Sequence, residues 1–343
     1  MSETKPRKKA GTILLRICLI LVAAIALILL GARLWFRLPV ASYYKNSEKA
    51  FAIPGLGDGF VPQGLSYDAD SGNFFVTGYR SGEGASPIYL VNKESGETVK
   101  EVLLLQEDGS DFRGHAGGLS VHGKYVYVAG GGDHCLFVYS KDEILQAEDG
   151  AGIVCLGSFP VAIYGEGDTS VSFTAIGDGT LWAGEFYREQ NYKTADSHKR
   201  TTKAGDYQQA MAVAYRFSDA ADAVFGLDPV PVQAYSLPDL VQGMCFDGGK
   251  VYLSTSYAVA FSHIFVYDGA KAEAQGEIDG AKGKIPLYAL DSAALVDDLT
   301  FPPMAEEIEI LDGRIYTMCE SASSKYIFGK LTGGKWCYAT KLD

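Results

Sequence analysis

The sequence predicts an all-β fold: a β-propeller of five blades, with six blades as the alternative, preceded by one N-terminal transmembrane helix. The main observation is a turn rich in Asp and Gly, followed by a β-branched and aromatic strand, that recurs five times between residues 62 and 313. The glycines that close these turns are Gly72, Gly123, Gly179, Gly249 and Gly313. Their spacings of 51, 56, 70 and 64 residues fit one four-stranded blade per repeat.

Composition and periodicity agree with this prediction. The chain has 343 residues, of which 47% are hydrophobic, with 40 glycines and 21 tyrosines, as expected of one large β domain. Beyond the N-terminal apolar segment, a helical pattern occurs only in short turns. Within the first repeat we expect strands at about 62–67, 73–79, 87–92 and 98–105.

The N-terminus predicts a membrane anchor. Residues 1–10 form a basic tail, and residues 11–32 are almost wholly apolar apart from Arg16, which is enough to cross a hydrocarbon layer of roughly 30 Å. The basic tail predicts a cytoplasmic N-terminus and a single-pass topology with the rest of the chain extracytoplasmic, in the cell membrane of a bacterium. A cleaved signal peptide is the alternative. We expect a linker over 33–60 and the propeller over 61–343.

Charge limits the class of partner. Residues 46–343 carry 22 basic and 41 acidic side chains, a net charge of −19. This charge repels nucleic acid and favours solubility or cationic ligands. We therefore expect a small-molecule, peptide or protein ligand and no nucleic-acid partner.

The cysteines of the predicted propeller follow no metal-finger spacing. They are Cys135, Cys155, Cys245, Cys319 and Cys337. We expect most of them to be buried strand residues. Bridges between Cys135 and Cys155, or between Cys319 and Cys337, are the alternative.

The functional face of a propeller can be predicted from its connectivity. In an antiparallel meander the connections alternate between two faces, so the start of each inner strand shares a face with the loop joining strands two and three. These loops are expected at 80–86, 130–134, 186–209, 255–262 and 320–325. The long loop 186–209 has tyrosines among basic residues and is either a lid or partner contact, or a solvated loop.

Alignment of the repeats on their turns brings a set of polar residues to the start of the inner strands. The set is Gln63, His115, Ser172, Gln242 and Glu306. Because inner strands surround the propeller axis, we expect these side chains to meet at the mouth of the central channel and bind a ligand. Strand alternation favours Glu306 over Glu307 for the channel. The alternative is that these groups only bind neighbouring blades and buried water.

Two members of this set could support chemistry. His115 is flanked by glycines that allow close approach, and with Glu306 it could act as base and acid or hold a divalent cation such as calcium. The sequence contains no Gly-x-Ser-x-Gly elbow, no Gly-x-Gly-x-x-Gly and no Walker loop, so a hydrolase triad has no support.

Segments 60–65 (FVPQGL) and 74–78 (FFVTG) resemble the plant-type and bacterial glutaminyl cyclases (glutamine cyclotransferases). That family's five-bladed propeller opens with Phe-Thr-Gln-Gly-Leu and continues with a Glu-Ser-Thr-Gly strand. The resemblance covers about 60–105, implies five blades and matches Gln63 to the family's glutamine. Phe75, Gly117 and Gly243 stand where propellers of this group carry acidic residues. The blade pattern is also similar to the lactonase, strictosidine-synthase-like and TolB-like propellers, which usually have six blades.

Three functions follow from these observations. The first is a membrane-anchored extracytoplasmic propeller that binds a small polar or peptide ligand at the channel mouth. The second is a cyclase-like or lactonase-like enzyme that uses the same pocket. The third is a protein-interaction scaffold, a common use of propellers.

Overall fold

The computed structural model describes residues 7–342. Positions 1–6 of the predicted basic tail, and Asp343, lie outside the described residues. The chain begins with helix α1 (Arg7–Arg37), helix α2 (Ala41–Asn46) and strand β1 (Ser47–Ala52). Short 3-10 turns occupy Leu56–Asp58, Asp196–His198, Gly269–Lys271 and Glu320–Ala322.

The strands that follow form the first three blades. Blade 1 contains β2 (Phe60–Asp68), β3 (Asn73–Arg80), β4 (Pro87–Asn92) and β5 (Thr98–Leu105). Blade 2 contains β6 (Leu119–His122), β7 (Tyr125–Ala129), β8 (Cys135–Ser140) and, after helix α3 (Lys141–Gln146) and strand β9 (Ala151–Val154), β10 (Gly157–Pro160). Blade 3 contains β11 (Val171–Gly177), β12 (Thr180–Glu185) and, after the hairpin β13 (Arg200–Thr201) and β14 (Tyr207–Gln208), β15 (Ala210–Phe217) and β16 (Leu227–Leu237).

The remaining strands form blades 4 and 5. Blade 4 contains β17 (Val241–Asp247), β18 (Lys250–Thr255), β19 (Ser262–Asp268) and, after β20 (Glu273–Gly280) and β21 (Gly283–Ala289), β22 (Leu295–Phe301). Blade 5 contains β23 (Ala305–Leu311), β24 (Arg314–Cys319) and, after helix α4 (Gly329–Thr332), β25 (Trp336–Lys341). Strand β9 extends blade 1 and strands β21 and β20 extend blade 3, in both cases through a parallel pairing.

The described residues thus form a five-bladed propeller, and this part of the prediction is confirmed. In the first repeat the observed strands agree with the expected ones to within two residues. Five clusters of buried apolar side chains fill the spaces between neighbouring blades. Between blades 1 and 2, for example, Phe75 and Leu90 pack with Tyr139. Radial packing of this kind leaves a channel along the axis.

The ring is closed by the N-terminal strand. Strand β1 pairs antiparallel with β25 and is the outermost strand of blade 5. Its Phe51 is buried, with its ring centroid 5.4 Å from that of Phe74. The segment 33–60, expected to be a linker, therefore contains strand β1, which joins the start of the propeller to its last strand, β25.

Helix α1 is the one helix of the described residues that is long and apolar enough to cross a membrane. The stretch Gly11–Arg37 has 27 residues and a mean hydropathy of 3.1 in its most apolar window, and none of that window is buried. A signal sequence near an N-terminus has the same properties. The helix therefore fits an anchor or a signal sequence.

The cysteines of the described chain are all free thiols, so neither alternative bridge forms. Cys155, Cys245, Cys319 and Cys337 are buried, as expected for strand residues, and Cys135 is half-buried. Burial raises the pKa of the Cys319 thiol to about 12, which keeps it protonated and unreactive.

Candidate ligand-binding site

Four of the five inner strands carry a β-bulge at the same height. The pairing of inner strand with second strand skips Gln63 in blade 1, Ser172 in blade 3 and Gln242 in blade 4. In blade 5 it skips Glu306 and Glu307 on the inner strand and Met318 on the second strand, again an excess of one residue. A bulge leaves its extra residue unpaired and re-aims the side chain. The positions aligned in the sequence are thus structurally equivalent in these four blades.

The bulges open into a pocket of about 280 Å³ at one end of the central channel. Four of the five predicted residues, Gln63, His115, Ser172 and Gln242, line it. The other lining residues come mainly from the loops between second and third strands: Tyr79, Gly117, Gly131, Gly132, Ser170, Phe186, Tyr192, Ser256, Tyr257, Ala258, Met304, Glu320, Lys325 and Tyr326. We call this cavity the mouth pocket.

The fifth predicted residue, Glu306, does not line the mouth pocket. Its side chain is buried, and its Oε1 atom has no hydrogen-bond partner among the described residues. Burial raises the pKa of Glu306 well above its usual value, and the charges of Glu320 and Glu307 raise it further. The carboxyl group is therefore favoured in its protonated form.

Glu307, rather than Glu306, reaches across the propeller axis. Its Oε2 accepts hydrogen bonds from the backbone N–H groups of Leu65 (2.7 Å) and Leu119 (3.0 Å), and its Oε1 accepts one from Thr174 (3.4 Å). One carboxyl group of blade 5 thus joins blades 1, 2 and 3. The sequence favoured Glu306 for the channel, but Glu307 shares its strand face with Glu309, which accepts a hydrogen bond from the Tyr67 N–H of blade 1, and this face lies at the axis.

Glycines make the channel narrow at the height of Glu307. A Cβ atom on Gly64 would lie 3.0 Å from the backbone nitrogen of Leu119, and one on Gly118 would lie 2.5 Å from Glu307 Oε1. On Gly243 it would lie 2.6 Å from the Cα atom of Glu307. Only glycine permits such close approach. This waist separates the mouth pocket from a second cavity, the lower channel.

The lower channel has a volume of about 530 Å³ and opens on the face of the Asp/Gly turns. Glu309 lines it, accepts a hydrogen bond from the Tyr67 N–H, and has its pKa raised by burial to about 7. At the rim, Lys141 bridges Asp68 and Asp70 with 3.0 Å contacts to both. Glu309, Lys141, Asp68 and Asp70 thus all have hydrogen-bond or ion-pair partners within the propeller.

A hydrogen-bonded cluster on one wall of the mouth pocket is centred on Glu320. Its Oε1 accepts hydrogen bonds from the hydroxyl groups of Tyr79 (3.0 Å) and Tyr326 (2.8 Å). The Lys325 ammonium donates to the Tyr79 oxygen at 2.6 Å. Burial and then the charge of Glu320 raise the pKa of Tyr79, so its hydroxyl keeps its proton. Residues 320–325 are expected on this face from the sequence, but no local signal marks Glu320, whose partner Tyr79 is 241 residues away.

His115 lies beside this cluster. Its ring centroid is 4.7 Å from that of Tyr79, and burial lowers its pKa below the usual value. The imidazole is therefore neutral at neutral pH and can both donate and accept a hydrogen bond. Within residues 7–342, no group of three or more His, Cys, Asp or Glu side chains comes together that could hold a metal ion.

The long loop 186–209 borders the mouth pocket and is held in place by its buried residue His198. Phe186 and Tyr192 line the pocket, while His198 is buried with its Nδ1 2.8 Å from Glu185 Oε2 and its Nε2 3.6 Å from Asp168 Oδ2. Burial lowers the pKa of His198, but the two carboxylates outweigh burial and raise it to about 9. The loop is therefore held by a charged group rather than being merely solvated.

Two positions that differ from the glutaminyl cyclase pattern have structural explanations. Phe75 is fully buried in the cluster between blades 1 and 2, away from the pocket lining. Gly243 has no room for a side chain because Glu307 occupies that space.

Fold and site together define a five-bladed propeller with a polar pocket at one end of its channel. The similar solved structures include glutaminyl cyclase from Myxococcus xanthus, with 14% identity, a TM-score of 0.42, and coverage of 87% of this chain and 95% of that chain. They also include the PQQ-bound aldose sugar dehydrogenase from Streptomyces coelicolor (14% identity, TM-score 0.46, 85% and 95%) and hydrazine synthase from Kuenenia stuttgartiensis (13%, 0.39, 76% and 80%).

These likenesses concern the fold, and at such identities no activity is transferred from them. The resemblance to the glutaminyl cyclases seen in the sequence is met again among the solved structures. No family model matches the chain, and no curated protein sequence matches it.

Proposed function

We propose that this protein is a membrane-anchored, extracytoplasmic propeller that binds a small polar or peptide ligand in the mouth pocket. The observation that carries the proposal is the convergence of Gln63, His115, Ser172 and Gln242 in one cavity. A cavity of about 280 Å³ is near the lower end of the range for small-molecule sites. It suits a ligand of metabolite or dipeptide size.

The lining determines the kind of ligand. The side chains of Gln63 and Gln242 each offer a carbonyl acceptor and an amide donor, and His115 and Ser172 also offer both. Tyr192 and Tyr257 supply flat aromatic surface at the rim. This combination suits a neutral or zwitterionic ligand with several hydrogen-bonding groups and a small apolar part.

The anchor part of the proposal rests on α1. The length of the apolar stretch Gly11–Arg37, its exposure and the basic residues that precede it support a retained span with the propeller outside. Detection of the full-length chain in the membrane fraction, resistant to alkaline extraction, tests this part. A shortened chain released to the soluble fraction would contradict it.

A ligand screen tests the binding part. We expect at least one compound from a panel of polar metabolites and dipeptides to raise the melting temperature of the detergent-solubilised full chain. Replacing Gln63 or Gln242 with Ala removes hydrogen bonds worth about 1–1.5 kcal/mol each, which corresponds to an increase in Kd of about tenfold. Titration calorimetry with the compound found measures this change.

Asp70→Asn is the matched control, because Asp70 lies at the lower channel on the opposite face. Its Kd should equal that of the unmodified chain. Equal binding by all variants, or no stabilising compound in the panel, would contradict the proposal. Conversion of an N-terminal glutamine peptide to pyroglutamate, lost in His115→Ala, would instead support the cyclase-like alternative.

A further inference from the structure

The end of helix α1 is fixed to the propeller. The ring of Phe36 stacks on Phe328 with centroids 5.8 Å apart, and Arg37 Nη1 donates a 2.9 Å hydrogen bond to the Thr332 carbonyl. The Arg37 guanidinium also lies 3.5 Å above the ring of Tyr44. The connection between helix and propeller is therefore a packed joint and not a free linker.

The segment that receives the helix also builds the mouth pocket. Phe328 and Thr332 belong to the connection between β24 and β25, and so do Lys325 and Tyr326, which line the pocket. A chain advances at most about 3.6 Å per residue, so the Cα atoms of Tyr326 and Phe328 are no more than about 7 Å apart. The helix therefore leaves the propeller close to the mouth of the channel.

The surface around this joint is apolar and basic. Ile327 is 82% exposed, and on the helix side Trp35 and Leu38 are 72% and 66% exposed. The exposed lysines of the connection are Lys325, Lys330 and Lys335. Residues 320–335 carry three lysines and one glutamate, a net charge of +2, on a domain whose net charge is −19. Aromatic and apolar side chains beside lysines are typical of segments at the membrane interface.

We infer that residues 323–335 rest on the lipid headgroup layer beside α1, with Ile327 inserted, so that the mouth pocket opens toward the bilayer surface. Lipid is the occupant that fits, because the patch continues directly from the apolar helix and its lysines complement anionic headgroups. The inference rests on the proposed function in one respect, the retention of α1 as an anchor. A ligand would then reach the pocket along the membrane surface.

Spin-label accessibility tests this inference. The full chain, with Cys18→Ser and Cys135→Ser to remove the thiols that are not buried, is reconstituted in vesicles of equal parts phosphatidylcholine and phosphatidylglycerol. Spin labels are attached at Ile327→Cys in the patch, at Leu27→Cys in the helix and at Val99→Cys in blade 1. Val99 is 52% exposed and serves as the solvent reference. Collision rates with oxygen, which enters the bilayer, and with a polar nickel complex are compared.

We expect the ratio of oxygen to nickel accessibility at position 327 to exceed that at position 99 several-fold, and to lie below that at position 27. Equal ratios at positions 327 and 99, with position 27 protected from nickel, would overturn the inference while leaving the anchor intact. Such a result would point to a protein partner on this patch. Nickel access at position 27 would overturn both the anchor and the inference.

Discussion

A single residue, Glu307, connects blade 5 to three other blades at the propeller axis. Its carboxyl group accepts hydrogen bonds from backbone N–H groups of blades 1, 2 and 3. Burial raises its pKa, opposed by these same hydrogen bonds. A buried N–H without a partner costs about 1–3 kcal/mol, so the acceptor is the important property of this side chain.

A matched pair of variants tests this role. Glu307→Gln keeps an oxygen acceptor and should lower the free energy of unfolding by about 1 kcal/mol, whereas Glu307→Met has similar length without an oxygen and should lower it by about 2–4 kcal/mol. Urea denaturation measures both. Equal stability of the two variants would show that the hydrogen bonds of Glu307 contribute little.

The sequence could predict most of the site residues but not this one. Gln63, Ser172 and Gln242 each precede the first residue of their turn, Asp68, Gly177 and Asp247, by five residues, so alignment of the turns found them. Glu307 was missed because the alignment matched Glu306 to Gln63 and Gln242, whereas Glu307 stands where two other blades have Gly64 and Gly243. Glu320 was missed because its importance depends on Tyr79, which is far away in the sequence.

At the scale of elements, the long loop 186–209 depends on the buried His198. Its pKa is about 9 in the folded chain and about 6.5 in the unfolded chain. A raised pKa means that the charged ring contributes stability that is fully present below about pH 6.5 and is lost as the pH rises through about 9. Asp168 acts in the opposite sense. Burial raises its pKa, but the hydrogen bonds from His198 and from backbone N–H groups outweigh burial and lower it. The stability that the Asp168 carboxylate contributes is therefore lost as the pH falls into the acid range.

We expect the unfolding free energy to fall by about 2–4 kcal/mol between pH 6.5 and 9.5 through this group. His198→Gln should remove that part of the pH dependence. His263→Gln is the matched control, because His263 forms a comparable 2.7 Å contact with Asp298 on the exposed surface. Urea denaturation at both pH values measures the effect. An unchanged slope in His198→Gln would contradict this account of the loop.

Local signals predicted the elements that pair with their neighbours in sequence, and not those that pair at long range. The strands of blade 1 follow from alternation and turns. Strand β1 was missed because its partner β25 is almost 300 residues away. The parallel pairings of β9 with β5 and of β21 with β16 were missed for the same reason, since no turn links the partners.

At the scale of the whole molecule, repetition made the architecture predictable. Each repeat buries its apolar faces only against its neighbours, and the five clusters between blades follow from that requirement. The direction of the channel mouth relative to the helix could not be predicted, because it depends on the contact of Phe36 with Phe328. Ligand identity depends on the shape of the pocket, which sequence pattern does not encode.

Hydrogen exchange measured with and without the stabilising compound shows where on the propeller the ligand binds. We expect protection to increase in the segments around the mouth pocket, which are 79–86, 114–118, 130–134, 170–173, 186–192, 255–258 and 320–326. Exchange around the lower channel, at 66–70 and 119–123, should stay unchanged. Protection confined to the lower channel, or to the outer strands of the blades, would contradict the claim that the mouth pocket is the binding site.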